Sequence, residues 1–292
     1  MVVGDFDLAC YHPIPAWRLE SGEVVFVERG AVAQSLLLPC GRCVGCRMER
    51  SRQWSVRIMH EASLHEENCF ITLTYDDAHI PARGSLDYSD FRAFLRRYRR
   101  EVGRVRYFVC GEYGGELGRP HYHAGIFGYA FRGDRKGHRR TALGHYVYRS
   151  PLLERLWPHG NSELAELTSQ SAAYMARYTF KKVCGAVADD HYRRVDSNTG
   201  EVFYLQPEFA HMSLKPGIGA TWFARYQSDV FPHDRVVMKG VVGRPPRYYD
   251  QLLKRVDPDL LENVQQKRIL DNVDKWPDCT PERLAVREAV VN

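Results

Sequence analysis

Apolar and polar residues alternate with a period of two through "NCFITLTYDD" (residues 68–77), a β-branched and aromatic run that predicts a central strand. The same signal returns in "VRYFVCGEY" and, after the turn "GGELGRP", in "HYHAGIFGY", so residues 105–129 predict a β-hairpin. Between these runs the period changes. In "SLDYSDFRAFLRRYRR" the residues Phe91, Phe94, Leu95 and Tyr98 recur at helical spacing with arginines on the other side, predicting a helix capped near Ser89. Residues 47–66 predict a helix with Trp54, Ile58 and Ala62 on one face. "NSELAELTSQSAAYMARYTFKKV" predicts another long helix, best formed from about Thr168 to Lys182, and the basic stretch before it reads as a loop.

The flanks are less regular. The first 40 residues are short apolar runs broken by Pro and Gly, with "EVVFVERG" as a hairpin strand. "EVFYLQPEFAHMSLKPGIGATWFARYQSD" predicts a strand, a Pro-Gly loop at 216–219 and a helix, and a polar helical tail with proline punctuation follows. Strand, helix, hairpin and helix in that order predict the α+β class, a central antiparallel β-sheet with helices packed on it. The expected organisation is an N-terminal segment (1–60), a main domain (61–230) and a C-terminal helical tail (231–292).

Composition narrows the classes. In 292 residues, 44% hydrophobic and 26% charged is ordinary for a globular chain. No run approaches the roughly 18 apolar residues of a membrane span. "MVVGDFDLACYHP" lacks a basic region followed by an apolar stretch, predicting no signal peptide and a cytosolic protein with no membrane partner. The net charge of +5 says less than its distribution. Residues 92–106 carry seven Arg, among them Arg96, Arg97, Arg99 and Arg100, against one Glu. Residues 132–149, with Arg139 and Arg140, carry six Lys or Arg against one Asp. Arginine interleaved with aromatics suits a nucleic-acid backbone, although a solvated helix face reads the same way. Eight cysteines in a cytosolic chain argue against a disulfide framework. Cys69, Cys110, Cys184 and Cys279 are scattered; Cys40, Cys43 and Cys46 are not.

Three constellations carry candidate chemistry. On a strand, His121 and His123 project to one face and Tyr122 to the other. Two imidazoles on one face form a ready metal-ligand pair, or simply a polar sheet face. Glu112 ends the partner strand and the turn returns it toward His121, with Glu116 in the turn as fallback third ligand. Two imidazoles and one carboxylate suit Mg²⁺ or Mn²⁺ acting on a phosphate. Next, Tyr174 and Tyr178 are four apart and share a helix face, with Lys181 close to the same stripe. That spacing also describes a core stripe. Phosphoryl transfer supplies a reason for two hydroxyls and a cation together: a tyrosine attacks a phosphodiester and a lysine steadies its charge. Finally, Cys40, Cys43 and Cys46 with intervening glycines can wrap one Zn²⁺. Cys10 is the first choice for fourth ligand and His12 the second, and the adjacent Arg42, Arg47, Arg50 and Arg52 make it a basic knuckle.

Taken in order, "FITLTY", "GEYGGELGRPHYHAGIFG" and "YMARYTFKK" resemble the three motifs of HUH endonucleases of the rolling-circle class. With "PCGRCVGC" and "PEFAHMSLKPGIG", residues 40 to about 250 resemble the replication initiators of microviruses, the gokushovirus group above all. The resemblance implies an HUH, RRM-like core, His121, His123 and Glu112 as metal ligands, and Tyr174 and Tyr178 as alternating nucleophiles. Lys181 matches the lysine after the second tyrosine. It implies origin nicking on single-stranded DNA, a 5′-phosphotyrosine link, and rejoining of the displaced strand into a circle. A host polymerase and helicase in the host cytoplasm are the implied partners. Two other readings remain open here, a non-catalytic zinc-knuckle protein binding single-stranded nucleic acid and an HUH relaxase or transposase.

Overall fold

The structure, a computed structural model, describes residues 10–115, 118–141, 144–178, 187–273 and 280–291; of Tyr178, Asn272, Val273 and Val291 only the backbone is described. In chain order the elements begin with β1 (Ile14–Leu19), β2 (Val24–Val25), β3 (Val32–Leu38), α1 (Val44–Ala62), β4 (Asn68–Tyr75) and α2 (Tyr88–Val102). Then come β5 (Arg106–Tyr113), β6 (Pro120–Phe127), β7 (Lys136–Arg140), β8 (Tyr146–Arg149), α3 (Pro151–Leu156), β9 (Gly160–Glu166) and α4 (Ser169–Tyr178). The remainder is α5 (Ala188–Tyr192), β10 (Arg193–Val195), β11 (Val202–Tyr204), β12 (Phe209–Met212), α6 (Ala220–Val230), β13 (Val236–Met238), β14 (Val241–Gly243), α7 (Arg247–Val256), α8 (Pro258–Val273) and α9 (Pro281–Val291). The chain divides into two compact units: Met1–Gln53 with Phe223–Asn292, and Trp54–Trp222.

The fold is α+β. In the Trp54–Trp222 unit a seven-stranded sheet runs in the order β12-β5-β6-β4-β9-β8-β7. Its neighbouring strands are antiparallel. One face carries Ile71, Leu73, Val109, Tyr122, Ala124, Ile126 and Leu164 against Phe91, Phe94, Leu95 and Tyr98 of α2 and Leu153 and Leu156 of α3. Burying each large apolar side chain of this kind contributes roughly 1.5–3 kcal/mol. The other face packs Phe108, Cys110 and Phe127 against Ile58 and Ala62 of α1 and Ala172 and Met175 of α4. Along β4 burial alternates strictly: the odd-numbered positions are buried, whereas Phe70, Thr72 and Thr74 on the second face are only half-buried. Both faces are therefore covered near one end of β4, and the second stays partly open.

The other unit holds a three-stranded sheet, β2-β1-β3, a β13–β14 hairpin and α7 to α9. Arg268 is buried there between Asp234 and Asp250, at 2.6 to 2.9 Å.

Four sequence expectations change. "GNSELAE" is not the start of a long helix but the strand β9, paired along β4 from Cys69↔Glu166 to Tyr75↔Gly160. Sheet pairing with burial of Ser162 and Leu164 overrides the helix-favouring composition. The helix proper begins at Ser169, where Thr168 and Ser171 exchange side-chain to backbone hydrogen bonds of 2.8 and 3.2 Å. The cap of α2 is Asp87, whose carboxylate accepts from the N–H of Ser89, and not Ser89 itself. The basic loop contains the β7–β8 hairpin, which extends the sheet, and α3, capped by Ser150. In "EVVFVERG" only Val24–Val25 is strand, and Phe26 and Val27 are exposed.

Two constraints anchor the sheet. Gly160, at φ +143, turns the chain so closely over β4 that a Cβ would sit 2.3 Å from the nitrogen of Asp76 and 2.6 Å from the oxygen of Thr74. Glu61 of α1, almost fully buried, pairs with Arg106 of β5 and accepts the N–H of Gly219 at 2.8 Å. Burial alone would raise its carboxyl, but bonds from His65, Arg106 and Gly219 outweigh that and hold it at about 2.

Gly160→Ala is expected to destabilise by on the order of 3 kcal/mol or more in urea unfolding, because neither the φ nor the backbone contact can relax cheaply. Gly115→Ala, which meets open space, should stay within about 0.5 kcal/mol. For Glu61 the unfolded chain takes up a proton first, so stability should fall as pH drops from about 4.5 toward about 2. Glu61→Gln should flatten that acid limb while lowering neutral-pH stability by on the order of 3 kcal/mol.

Candidate active site and metal centres

The β5–β6 register builds the first site. Glu112 lies directly opposite His121, and Cys110 opposite His123, so carboxylate and imidazoles emerge on the sheet's second face. Glu112 Oε1 stands 2.9 Å from His121 Nε2 and 3.0 Å from His123 Nε2. Glu112 and His123 are buried and His121 is half-buried. The three donor atoms lie within 4.8 Å of one another.

The hydrogen-bond roles point to a cation. His121 Nδ1 is 3.0 Å from the carbonyl oxygen of Arg119, which can only accept, so Nδ1 carries a hydrogen. In a neutral ring Nε2 then offers a lone pair, and it faces a carboxylate oxygen that also only accepts. A positive ion between them resolves the conflict. The separations match the edge of about 3.0 Å between neighbouring ligands lying about 2.1 Å from a six-coordinate ion. These residues therefore fit a small divalent metal.

Around this trio, Phe70 of β4 stacks on His123 at 5.5 Å between ring centres with 9° between the planes. Thr72 Oγ1 is 3.0 Å from His123 Nδ1. Tyr174 of α4 presents its ring edge to His123 at 5.0 Å. Its hydroxyl is 3.4 Å from both His123 Nε2 and Glu112 Oε1. Gly125 makes that approach possible: a Cβ there would stand 3.1 Å from Met175 Cε, on the helix carrying Tyr174. Tyr178 ends α4 one turn on; its side chain, Lys181 and Glu116 lie outside the described residues. Tyr122 points to the dry face, where its hydroxyl donates to the oxygen of Asp87 at 2.7 Å and meets that of Tyr75 at 2.8 Å.

The basic residues are dispersed. Arg96, Arg97, Arg99 and Arg100 sit on α2, which covers the face opposite the histidines. Arg97 is partly tied down, donating to the oxygen of Leu156 at 2.9 Å. Arg139 projects from the edge strand β7 and pairs with Glu163 at 2.9 and 2.7 Å. Glu163 is in register with Thr72 and so shares the face of His123. Arg140 lies over the ring of Tyr146 at 4.2 Å. Arg42, Arg47 and Arg50 are exposed in the other unit, where Arg52 is held by Glu49.

That unit contains the second centre. Cys10, Cys40, Cys43 and Cys46 bring their sulfurs within 4.8 Å of one another. Cys40 to Cys46 and Cys43 to Cys10 are each 4.0 Å, near the roughly 3.8 Å edge of a tetrahedron with metal–sulfur distances of about 2.3 Å. Backbone N–H groups converge on the sulfurs: Cys40 onto Cys10 at 3.2 Å, Cys43 onto Cys40 at 3.3 Å, Tyr11 onto Cys43 at 3.3 Å. Burial raises the Cys43 thiol, but the N–H groups of Cys46 and Tyr11 outweigh it and bring it down to about 7. Burial pushes the Cys10 and Cys46 thiols up. The set fits one soft tetrahedral ion. His12 is not part of it; it is largely exposed and meets Glu288 at 2.8 Å.

Sequence reading missed Phe70 and Thr72, although their parity in "FITLTY" places both on the face of His123. The model of the replication-associated protein ORF2 family matches residues 68–183, which span the first site. The chain is 34% identical to the replication-associated protein VP4 of Bdellovibrio phage phiMH2K over 262 residues, covering 86% of this chain and 78% of that protein. It is 30% identical to the replication-associated protein ORF2 of Spiroplasma virus 4, covering 89% and 86%. It is also 30% identical to the replication-associated protein ORF4 of Chlamydia phage 1, covering 81% and 60%. No solved structure matches the chain. No helix among the described residues is long and apolar enough to cross a membrane.

Cys10→Ser is expected to lower the metal retained at the cysteine cluster at least tenfold against a competing chelator, and His12→Ala to leave it unchanged. Elemental analysis after dialysis against the chelator reads both.

Proposed function

The chain belongs to the family of phage replication-associated proteins, the microvirus-like rolling-circle replication initiators, and from that premise we propose that it nicks and rejoins single-stranded origin DNA through tyrosine. The observation that carries the reading is the Tyr174 hydroxyl, 3.4 Å from two atoms of the Glu112–His121–His123 trio. A phenol held at a divalent-metal site is equipped for attack on a phosphodiester.

Bound by Glu112, His121 and His123, Mg²⁺ or Mn²⁺ would draw charge from the scissile phosphate. The protein does the rest. The α4 helix holds the Tyr174 oxygen at the site, and the half-open face along Phe70, Thr72 and Thr74 admits the strand. The phenolic oxygen bonds to phosphorus, the bond to the 3′ oxygen breaks, and the phenolic proton ends on the released 3′-hydroxyl. One P–O bond replaces another, so a 5′-phosphotyrosine forms without nucleotide hydrolysis. Tyr178, one helical turn on, attacks the regenerated origin after a round of synthesis. The first 3′-hydroxyl then closes the circle by attacking the first tyrosine's phosphate. Lys181 would steady the charge of the attacked phosphate.

Zn²⁺ at Cys10, Cys40, Cys43 and Cys46 would fix the knuckle that displays Arg42, Arg47 and Arg50. Those side chains, with Arg139 and Arg140, would grip the DNA backbone. The α2 arginines would hold strand away from the site, since they lie on the opposite face. The setting is the host cytoplasm, with host polymerase and helicase as partners.

With Mn²⁺ and single-stranded origin DNA, a denaturant-stable protein–DNA adduct is expected. Tyr174→Phe with Tyr178→Phe should reduce it by roughly 10³-fold or more. An adduct surviving in the double variant contradicts the reading. Salt-sensitive DNA binding without any adduct favours a purely binding protein.

A further inference from the structure

We propose that Thr72 is the positioning residue of the metal site, setting His123 by a hydrogen bond that lets the ring change between two states. The inference deepens the reading above and rests on it for the site's purpose.

The two histidines are held differently at Nδ1. His121 faces the carbonyl of Arg119, a fixed acceptor, and its tautomer is locked with Nε2 free of hydrogen. His123 faces the Thr72 hydroxyl at 3.0 Å, which can donate or accept. Without a metal, His123 can give an Nε2 hydrogen to Glu112, 3.0 Å away, while Thr72 donates to Nδ1. With a metal, the hydrogen sits on Nδ1, Thr72 accepts it, and the Nε2 lone pair is freed for the ion. Thus one hydroxyl satisfies both forms of a buried ring that a carbonyl could satisfy in only one.

Position supports the choice. Thr72 is in register with His123, and Phe70 stacks on the same ring, so rotation about its side-chain bonds is resisted from two sides. Thr74 lies on the same face in register with His121, whose Nδ1 is already served by Arg119. Of the two threonines in "FITLTY", only Thr72 has this task. Partners of this kind, which bond a ligand rather than the metal, typically change metal affinity about 10–100-fold when removed.

The test is calorimetric Mn²⁺ titration of the full chain after the cysteine cluster has been loaded with zinc, in parallel with the adduct assay. Thr72→Val keeps size and β-propensity and removes the hydroxyl. It should bind Mn²⁺ about 10–100-fold more weakly, with thermal unfolding little changed. Thr72→Ser should restore affinity to within about threefold, and Thr74→Val should stay within the same range. Thr72→Val binding as tightly as wild type, or Thr74→Val losing as much, overturns the proposal, as does a wild type that binds no Mn²⁺. Wild type that binds Mn²⁺ with the Thr72 dependence yet forms no adduct overturns the nickase reading alone.

Discussion

The antiparallel register of β5 on β6 is the constraint on which the site depends. It sets Glu112 opposite His121 and Cys110 opposite His123, and thereby places one carboxylate oxygen within 3.0 Å of two imidazole nitrogens. Strand parity makes this choice all or none. A slip of one residue would send both histidines into the dry face and bring Tyr122 out. The register is enforced from that dry face, where Tyr122 is fully buried and bonded to Tyr75 and Asp87. The core residue between the histidines is thus what keeps them on the working side.

The two faces of the sheet divide the labour. Under α2 and α3 the packing is apolar and closed, and it supplies stability. On the other face α4 packs through Ala172 and Met175 onto Gly125 and Phe127, while Phe70, Thr72 and Thr74 stay partly open. The same packing that docks α4 carries the Tyr174 hydroxyl to the metal trio. Stability and reactivity meet at Gly125, where any side chain would push the helix and its tyrosine outward.

Much of this was legible in the chain because it rests on local periodicity. The hairpin, the shared face of His121 and His123, the inward Tyr122 and the candidate Cys10 all follow from parity or from the spacing of rare residues. What escaped depends on distant pairing. "GNSELAE" looks helical by composition, and only its pairing along β4, from Cys69 to Tyr75, makes it a strand. The basic loop becomes the β7–β8 hairpin for the same reason. The α2 arginines look like part of one DNA surface with the histidines until the sheet is seen to lie between them. Thr72 was hidden in a strand signal, because residue type alone does not reveal which threonine meets an imidazole.

Trypsin offers the most direct measurement, since Arg177 separates the two tyrosines. After reaction with origin DNA and Mn²⁺, nuclease trimming and digestion, mass spectrometry should find the nucleotide mass on peptide 156–177, whose one tyrosine is Tyr174, or on peptide 178–181, which begins with Tyr178. The account predicts nucleotide on one or both of these peptides and its loss when His121 and His123 are replaced. Nucleotide on any other peptide, or on these peptides without the histidines, would contradict it.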